Sequence, residues 1–184
     1  DVTDVYMGSD SGATVRCAGI SFPSSQVASG GANVLDDYEE GVWTPVVKDS
    51  QGTPNAAGMV SGATGFYTKI GNIVYVIFSC QINDVSGMTG TDTVTIHGLP
   101  FTIDSNSHGS AEPSGGLITF MHSLNSTDFG SGVFLRANNG TTHFELKYTA
   151  GGAVTVIGGS NFLVSQFSGA TDTFIAGSCT YKVN

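Results

Sequence analysis

Positive charge is what this chain has least of. Six Lys and Arg stand against 15 Asp and Glu in 184 residues, a formal net charge of -9. The six cations, Arg16, Lys48, Lys69, Arg136, Lys147 and Lys182, are scattered singly. Phosphate backbones are held by clustered cations that displace counterions, so the sequence argues against nucleic acid as a direct partner. Anionic membrane surfaces are disfavoured on the same ground. Charge of either sign is scarce, at 11% of residues, against about 25% in soluble domains. The polar surface must then be built from Ser, Thr, Asn and Gly. Such a surface can be pressed against a copy of itself, or against a glycan, without stripping water from many charges.

Other absences narrow the class further. The three cysteines, Cys17, Cys80 and Cys179, are an odd number at wide spacing, with no CxxC pair and no Cys/His cluster of metal-binding spacing. Cys80 and Cys179 lie in apolar, β-branched runs and are expected to be buried free thiols. Independence from disulfides fits assembly in a reducing cytosol. No stretch approaches the roughly 20 apolar residues of a membrane span, and no signal peptide is visible. A chain that starts at Asp1 rather than Met reads as a fragment or a processed product.

What is present is period-two alternation broken by glycine, of which there are 26. That pattern predicts strands and short turns, hence an all-β fold. The clearest element is the run GFYTKIGNIVYVIFSCQIN from Gly65 to Asn83. Its segments Phe66 to Lys69 and Ile73 to Ile82 read as a hairpin around Ile70-Gly71-Asn72. In the second segment Val74, Val76, Phe78 and Cys80 share one face, and Ile73, Tyr75, Ile77 and Ser79 the other. Both faces are largely apolar, which predicts a central strand covered on both sides. Further strands are expected at Val42–Val47, Thr93–His97, Leu117–His122, Gly132–Ala137, His143–Thr149, Ala153–Ile157 and Thr173–Lys182. About nine short strands suggest a β-sandwich, jelly-roll-like in its connections.

Residues 1–36 differ. They are rich in Ser, Gly, Ala and Asp, with isolated apolar residues that bury too little to fold alone. We divide the chain near Leu35, into an extended segment 1–35 and a sandwich domain 36–184. A segment that needs a partner, together with a low-charge surface, predicts closed cyclic association as a homotrimer.

No catalytic constellation is visible, and the chain reads as a non-enzyme. Glu39 with Glu40, or Asp104 with Glu112, could in principle form a glycosidase pair. Adjacent strand residues, however, point to opposite faces. His97, His108, His122 and His143 form no HxH or HExxH pattern, no GxSxG occurs, and the double glycines lack the lysine of a phosphate loop. No cofactor and no metal is expected. Asp36, Asp37, Glu39 and Glu40 place four carboxylates in five residues with no cation nearby in sequence. That cluster is open to three readings: a solvated collar, a cation site, or pairing with Lys or Arg of another chain. Trp43-Thr44-Pro45 should start a strand, with proline at an edge or a strand end and Trp43 anchored on the core or on a neighbouring subunit.

From Ile20 to Pro45 the chain reads ISFPSSQVASGGANVLDDYEEGVWTP. This resembles a stretch of bacteriophage tail-fibre proteins in which an FPATQ-like segment leads into LDDYEEGTWTP. The run FYTKIGNIVYV and then TVTIHGLPF, residues 93–101, are similar to the early strands of the distal domain in that family. Ser24 stands where Ala is usual and Val42 where Thr is usual. The resemblance covers about residues 20–101. It implies a trimeric β-sandwich tip, with residues 1–35 as the end of a fibre shaft. It also implies attachment of the virion to the host surface, by way of a glycan or an outer-membrane protein. Two alternatives stay open: a structural virion protein without receptor binding, and a glycan-depolymerising spike. For receptor contact the polar loops are the candidates: Thr102–Gly116, with Asp104, Asn106, His108 and Glu112; Asn125–Ser131, with Asn125, Asp128 and Phe129; and Asn138–Thr142, with Asn138 and Asn139. Their Asn, Asp and Ser would bond sugar hydroxyls, and Phe129 would stack on a sugar ring.

Overall fold

The computed structural model describes residues 37–51, 55–60, 62–105, 115–125, 132–149, 159–167 and 172–183. The segment 1–35, the division near Leu35, Cys17 and the expected strand Ala153–Ile157 lie outside them. The strands are β1 (Tyr38–Trp43), β2 (Val46–Asp49), β3 (Gly58–Met59), β4 (Thr64–Ile70), β5 (Ile73–Asp84), β6 (Val94–His97), β7 (Gly115–Met121), β8 (Val133–Ala137), β9 (His143–Tyr148), β10 (Ser160–Asn161) and β11 (Thr173–Lys182). A single 3-10 turn at Val164–Gln166 is the one helical element among the described residues. The fold is all-β, as the alternation predicts. The β4–β5 hairpin closes at Gly71, whose φ of 57° is the left-handed conformation that the turn needs.

Every ladder is antiparallel, and the strands follow the order β1-β4-β5-β11-β7-β8-β9-β6-β2. The meander β7-β8-β9 has β6 returning beside β9, a Greek-key arrangement. The two strands at the ends of that order are consecutive in sequence. Only Thr44-Pro45 separates β1 from β2. Nine strands laid flat would put the outer two about 38 Å apart, whereas the three steps from Trp43 to Val46 reach about 11 Å at most. The sheet must therefore curl until its ends meet. Pro45 sits at the corner, where its missing N–H interrupts no ladder. The expected single strand Val42–Val47 is thus two, split at that corner.

Curling gives the sheet an inside and an outside. The inside holds Val47, Val74, Val76, Ile82, Ile96, Leu135, Phe144, Leu146, Phe162, Ile175 and Tyr181, all essentially inaccessible. Cys80 and Cys179 are buried free thiols, and burial pushes both up to about 12. Trp43 anchors on the core, edge-on to Phe78 at 5.8 Å. Its indole lies across Gly65, where any Cβ would collide with it. β5 is central, as expected, but only one of its faces is covered. Val74, Val76, Phe78, Cys80 and Ile82 are buried, while Ile73, Tyr75 and Ile77 remain 44, 47 and 41% exposed. Sequence alternation does not show which apolar face of a strand the rest of the chain covers.

Candidate binding surfaces

The strand directions give the sheet two ends. The chain enters at the first, where Gly71 donates to the Asp37 carbonyl at 2.8 Å. Here too lie the β8–β9 turn and the strand-like pairing of Ile103 with Val183. Ile103 N–H donates to Thr141 O (2.9 Å) and Gly140 N–H to Ile103 O (3.1 Å). The second end carries the ends of β7 and β9, the starts of β8 and β10, the 3-10 turn and the loop between β5 and β6. Asn125 N–H reaches Gln166 O there at 2.8 Å.

The segments singled out in the sequence divide between these ends. Asp104, Asn138 and Asn139 belong to the first and Asn125 to the second. Asn106, His108, Glu112, Asp128 and Phe129 lie outside the described residues. Asp104 is not a free loop side chain. It is 3% exposed, and its carboxylate accepts from Lys182 Nζ at 2.6 Å. The segment that begins at Thr102 is anchored through Asp104. Asn138 is half-buried and donates to Glu145 Oε1 at 2.7 Å. Asn139 stands exposed at the turn, beside Gly140 with φ 68°. Asn125 donates through Nδ2 to Phe167 O (2.8 Å) and Ser165 O (3.2 Å), latching the 3-10 turn to the end of β7.

The acidic stretch does not act as one unit. Asp37 is buried and ion-paired with Lys69, itself 4% exposed and over the Phe101 ring at 5.6 Å. Phe101 also meets Tyr67 edge-on at 5.4 Å, and Tyr67 donates to Glu39 Oε1 at 2.5 Å. That bond, with burial, pushes the Tyr67 phenol up to about 12. Glu40, on the opposite face, accepts from Tyr38 at 2.9 Å. The cation for Asp37 is therefore supplied 32 positions along by the same chain. The strings LDDYEEG, FYTKIGN and GLPF, remote in sequence, converge on this one cluster. At Gly98 of GLPF, φ is 93° and a Cβ would strike the Thr44 carbonyl. These motif residues do scaffold work: they position the chain's entrance and its corner.

A polar row lies on the outward side of β8, β9, β6 and β2, with Arg136 exposed, Lys48 and Glu145 partly covered and Thr95 buried. Lys48, Thr95, Glu145 and Arg136 stand side by side across these strands. Lys147 pairs with Glu145 at 2.7 Å. Burial works against the Glu145 charge, but Lys147 and Asn138 outweigh it and hold the carboxyl below its usual range. In the neighbouring row His97 stacks on His143 at 4.5 Å. Burial first, then His143 and Lys48, push His97 down to about 4. Burial also lowers His143, against Glu145. No group of three or more His, Cys, Asp or Glu suited to a metal ion occurs among the described residues. The polar row and the histidine stack follow from register, which local sequence does not reveal.

No protein-family profile and no curated protein matches the chain. Among solved structures the fold is similar to the crystal structure of Dettilon tailspike protein, with a TM-score of 0.56 and 21% identity over 78% of this chain. The chain spans about a quarter of that protein, 24% of its length. The likeness is one of fold.

Proposed function

We propose that this chain is the tip-forming domain of a bacteriophage tail fibre or tailspike, exposed on the virion, and that it attaches the particle to a host-cell surface glycan without cleaving it. The observation that carries the reading is the fold shared with a tailspike domain. The convergence of the three tail-fibre-like strings on one scaffold cluster supports it. The strands of both halves build the frame, so recognition is expected in the loops that join them. With a shaft joined through residues 1–35, the end opposite Asp37 would face the cell. Segment 125–131, with Asn125, Asp128 and Phe129, is then the first to probe. Asn139 stands on the shaft side, where a long receptor would still reach it; Asn106, His108 and Glu112 are the further candidates. Three copies of the chain would present three such ends together, raising avidity without new contacts.

The test is binding of the purified chain to phage-sensitive cells and to their isolated surface polysaccharide, with reducing-sugar release followed in parallel. Saturable binding without sugar release is the expected result. Release of reducing sugar would replace attachment by depolymerisation. Absence of binding to cells and polysaccharide alike would leave a structural virion part.

A further inference from the structure

At the second end the short strand β10 lies against β9, with Asn161 directly opposite Lys147. The buried Phe162 beside it fixes that register: its N–H donates to Leu146 O at 3.0 Å, and its carbonyl accepts from Val94 N at 2.8 Å. Asn161 is therefore turned to the same side of the sheet as Lys147. Lys147 is only 5% exposed, a degree of cover that lysine almost never has unless it is paired. On one flank stands Phe134, its ladder partner on β8, whose ring lies against Gly159. On the other flank is β10. Nζ donates to Asn161 Oδ1 at 2.5 Å and is ion-paired with Glu145 Oε2 at 2.7 Å. Glu145 is mostly covered too, and its other oxygen accepts from Asn138 Nδ2 at 2.7 Å. Asn161 alone of the three is exposed. A shielded amine thus touches a carboxamide and a carboxylate at once.

We infer that Lys147 and Asn161 form a self-closing cross-link, an isopeptide bond that joins β9 to β10, with Glu145 as the proton carrier. The reaction needs an amine, a carboxamide carbon and a base that reaches the amine, and these are the three groups in contact. Ladder pairing holds the two side chains about 5 Å apart at their Cβ atoms, so the encounter is intramolecular and already oriented. Rotation about the Asn161 Cβ–Cγ bond turns Cγ toward Nζ. Glu145, kept ionised by Lys147 and Asn138, takes one proton from Nζ. The freed lone pair attacks Cγ, and the carbonyl π pair moves onto Oδ1. Glu145 hands its proton to Nδ2 and takes the second from Nζ. The pair on Oδ1 then re-forms the carbonyl, the Cγ–Nδ2 bond breaks, and ammonia leaves on the exposed side, collecting the last proton from Glu145. One ammonium and one carboxamide become one secondary amide and one ammonium ion, with nothing oxidised. The link closes a ring from Lys147 to Asn161 at the second end of the sheet. Cys80 and Cys179 are free thiols, so this bond would supply, without an oxidant, a covalent staple that they do not.

This inference stands apart from receptor binding, since the link forms or fails to form whatever the chain attaches to. The test is the mass of the full chain under denaturing conditions, for the wild type and for Lys147→Arg, Asn161→Ala and Glu145→Gln. The wild type should be lighter than its 184 residues by one ammonia. Lys147→Arg keeps a cation beside Glu145 but removes the nucleophile, so it should show the full mass with an unchanged circular-dichroism spectrum. Asn161→Ala should also show the full mass. Glu145→Gln should close the bond more slowly, leaving both masses in freshly made protein. Peptide mapping of the wild type locates the bond whether or not any variant folds. Trypsin should fail to cut after Lys147. Chymotryptic cleavage after Tyr148 should leave the pieces carrying Lys147 and Asn161 joined in one branched peptide. A wild type of full mass would overturn the inference. So would ammonia lost while those two pieces separate, or a Glu145→Gln chain that links as fast and as completely as the wild type.

Discussion

On β1, β4, β5, β11 and β7 the outward positions carry Val, Phe, Ile, Tyr and Leu; on β8, β9, β6 and β2 they carry Lys48, Thr95, Glu145, Arg136, His97 and His143. The inward positions reverse part of that contrast. The half with the apolar exterior holds an ion pair inside, Asp37 with Lys69 against Phe101. The half with the charged exterior turns Leu135, Phe144, Leu146 and Ile96 inward. One continuous sheet, with one hydrogen-bonding rule, thus offers water two different surfaces. Backbone pairing fixes which strands are neighbours, and side-chain chemistry alone decides what each half faces.

The largest effect that would break this comparison comes from the inner ion pair. Lys69→Met leaves the Asp37 carboxylate buried without its cation and should cost about 3–5 kcal/mol in chemical denaturation. The double variant Asp37→Asn/Lys69→Met should recover most of that loss. If the single variant costs no more than Arg136→Ala on the charged exterior, the inner pair is not the distinguishing feature of its half. Next comes Gly65→Ala, which drives a methyl into the Trp43 indole; about 1–3 kcal/mol should be lost to overpacking. A smaller effect is expected in acid. His97 is held down at about 4 against an ordinary 6.5, so between those values the unfolded chain binds the proton and the folded chain does not. Stability should be full above about pH 6.5 and fall as pH drops toward 4. His97→Gln should flatten that part of a denaturation-against-pH curve. The smallest single-chain effect belongs to the polar exterior, where Arg136→Ala should change stability by about 0.5 kcal/mol or less.

Much of the frame was legible in the sequence because period-two alternation reports directly on strands. The β4–β5 hairpin, β6, β8, β9 and β11 fall where the pattern predicts. The start of β1 was missed because Tyr38, Glu39 and Glu40 show no apolar alternation; what makes them a strand is pairing with Ile70, Lys69 and Thr68. The partner of Asp37 was missed for a related reason, since Lys69 comes opposite only once that ladder forms. β5 misled in the other direction. Two apolar faces read as a strand sandwiched within one chain, yet half of that apolar surface points outward. Of the proposed contact residues, the sequence identified polar loops but not their ends. That Asp104 folds inward onto Lys182, and that Asn125 is taken up by backbone carbonyls, are consequences of tertiary geometry with no local signature.

The place of β11 bears on how this protein comes into being. The last strand of the described chain lies in the middle of the sheet, between β5 and β7, pairing Thr173 with Ile82 and Lys182 with Ile73. While the chain is being made, β5 has no permanent neighbour on that side, and β7 has none on the side away from β8. The gap between β5 and β7 closes only when Thr173–Lys182 arrive and zip between them. Contacts that span about a hundred residues are slow to form, and until then an apolar strand waits with its edge open. Synthesis interrupted before Thr173 would therefore leave the curled sheet split open between β5 and β7 rather than a slightly shortened protein.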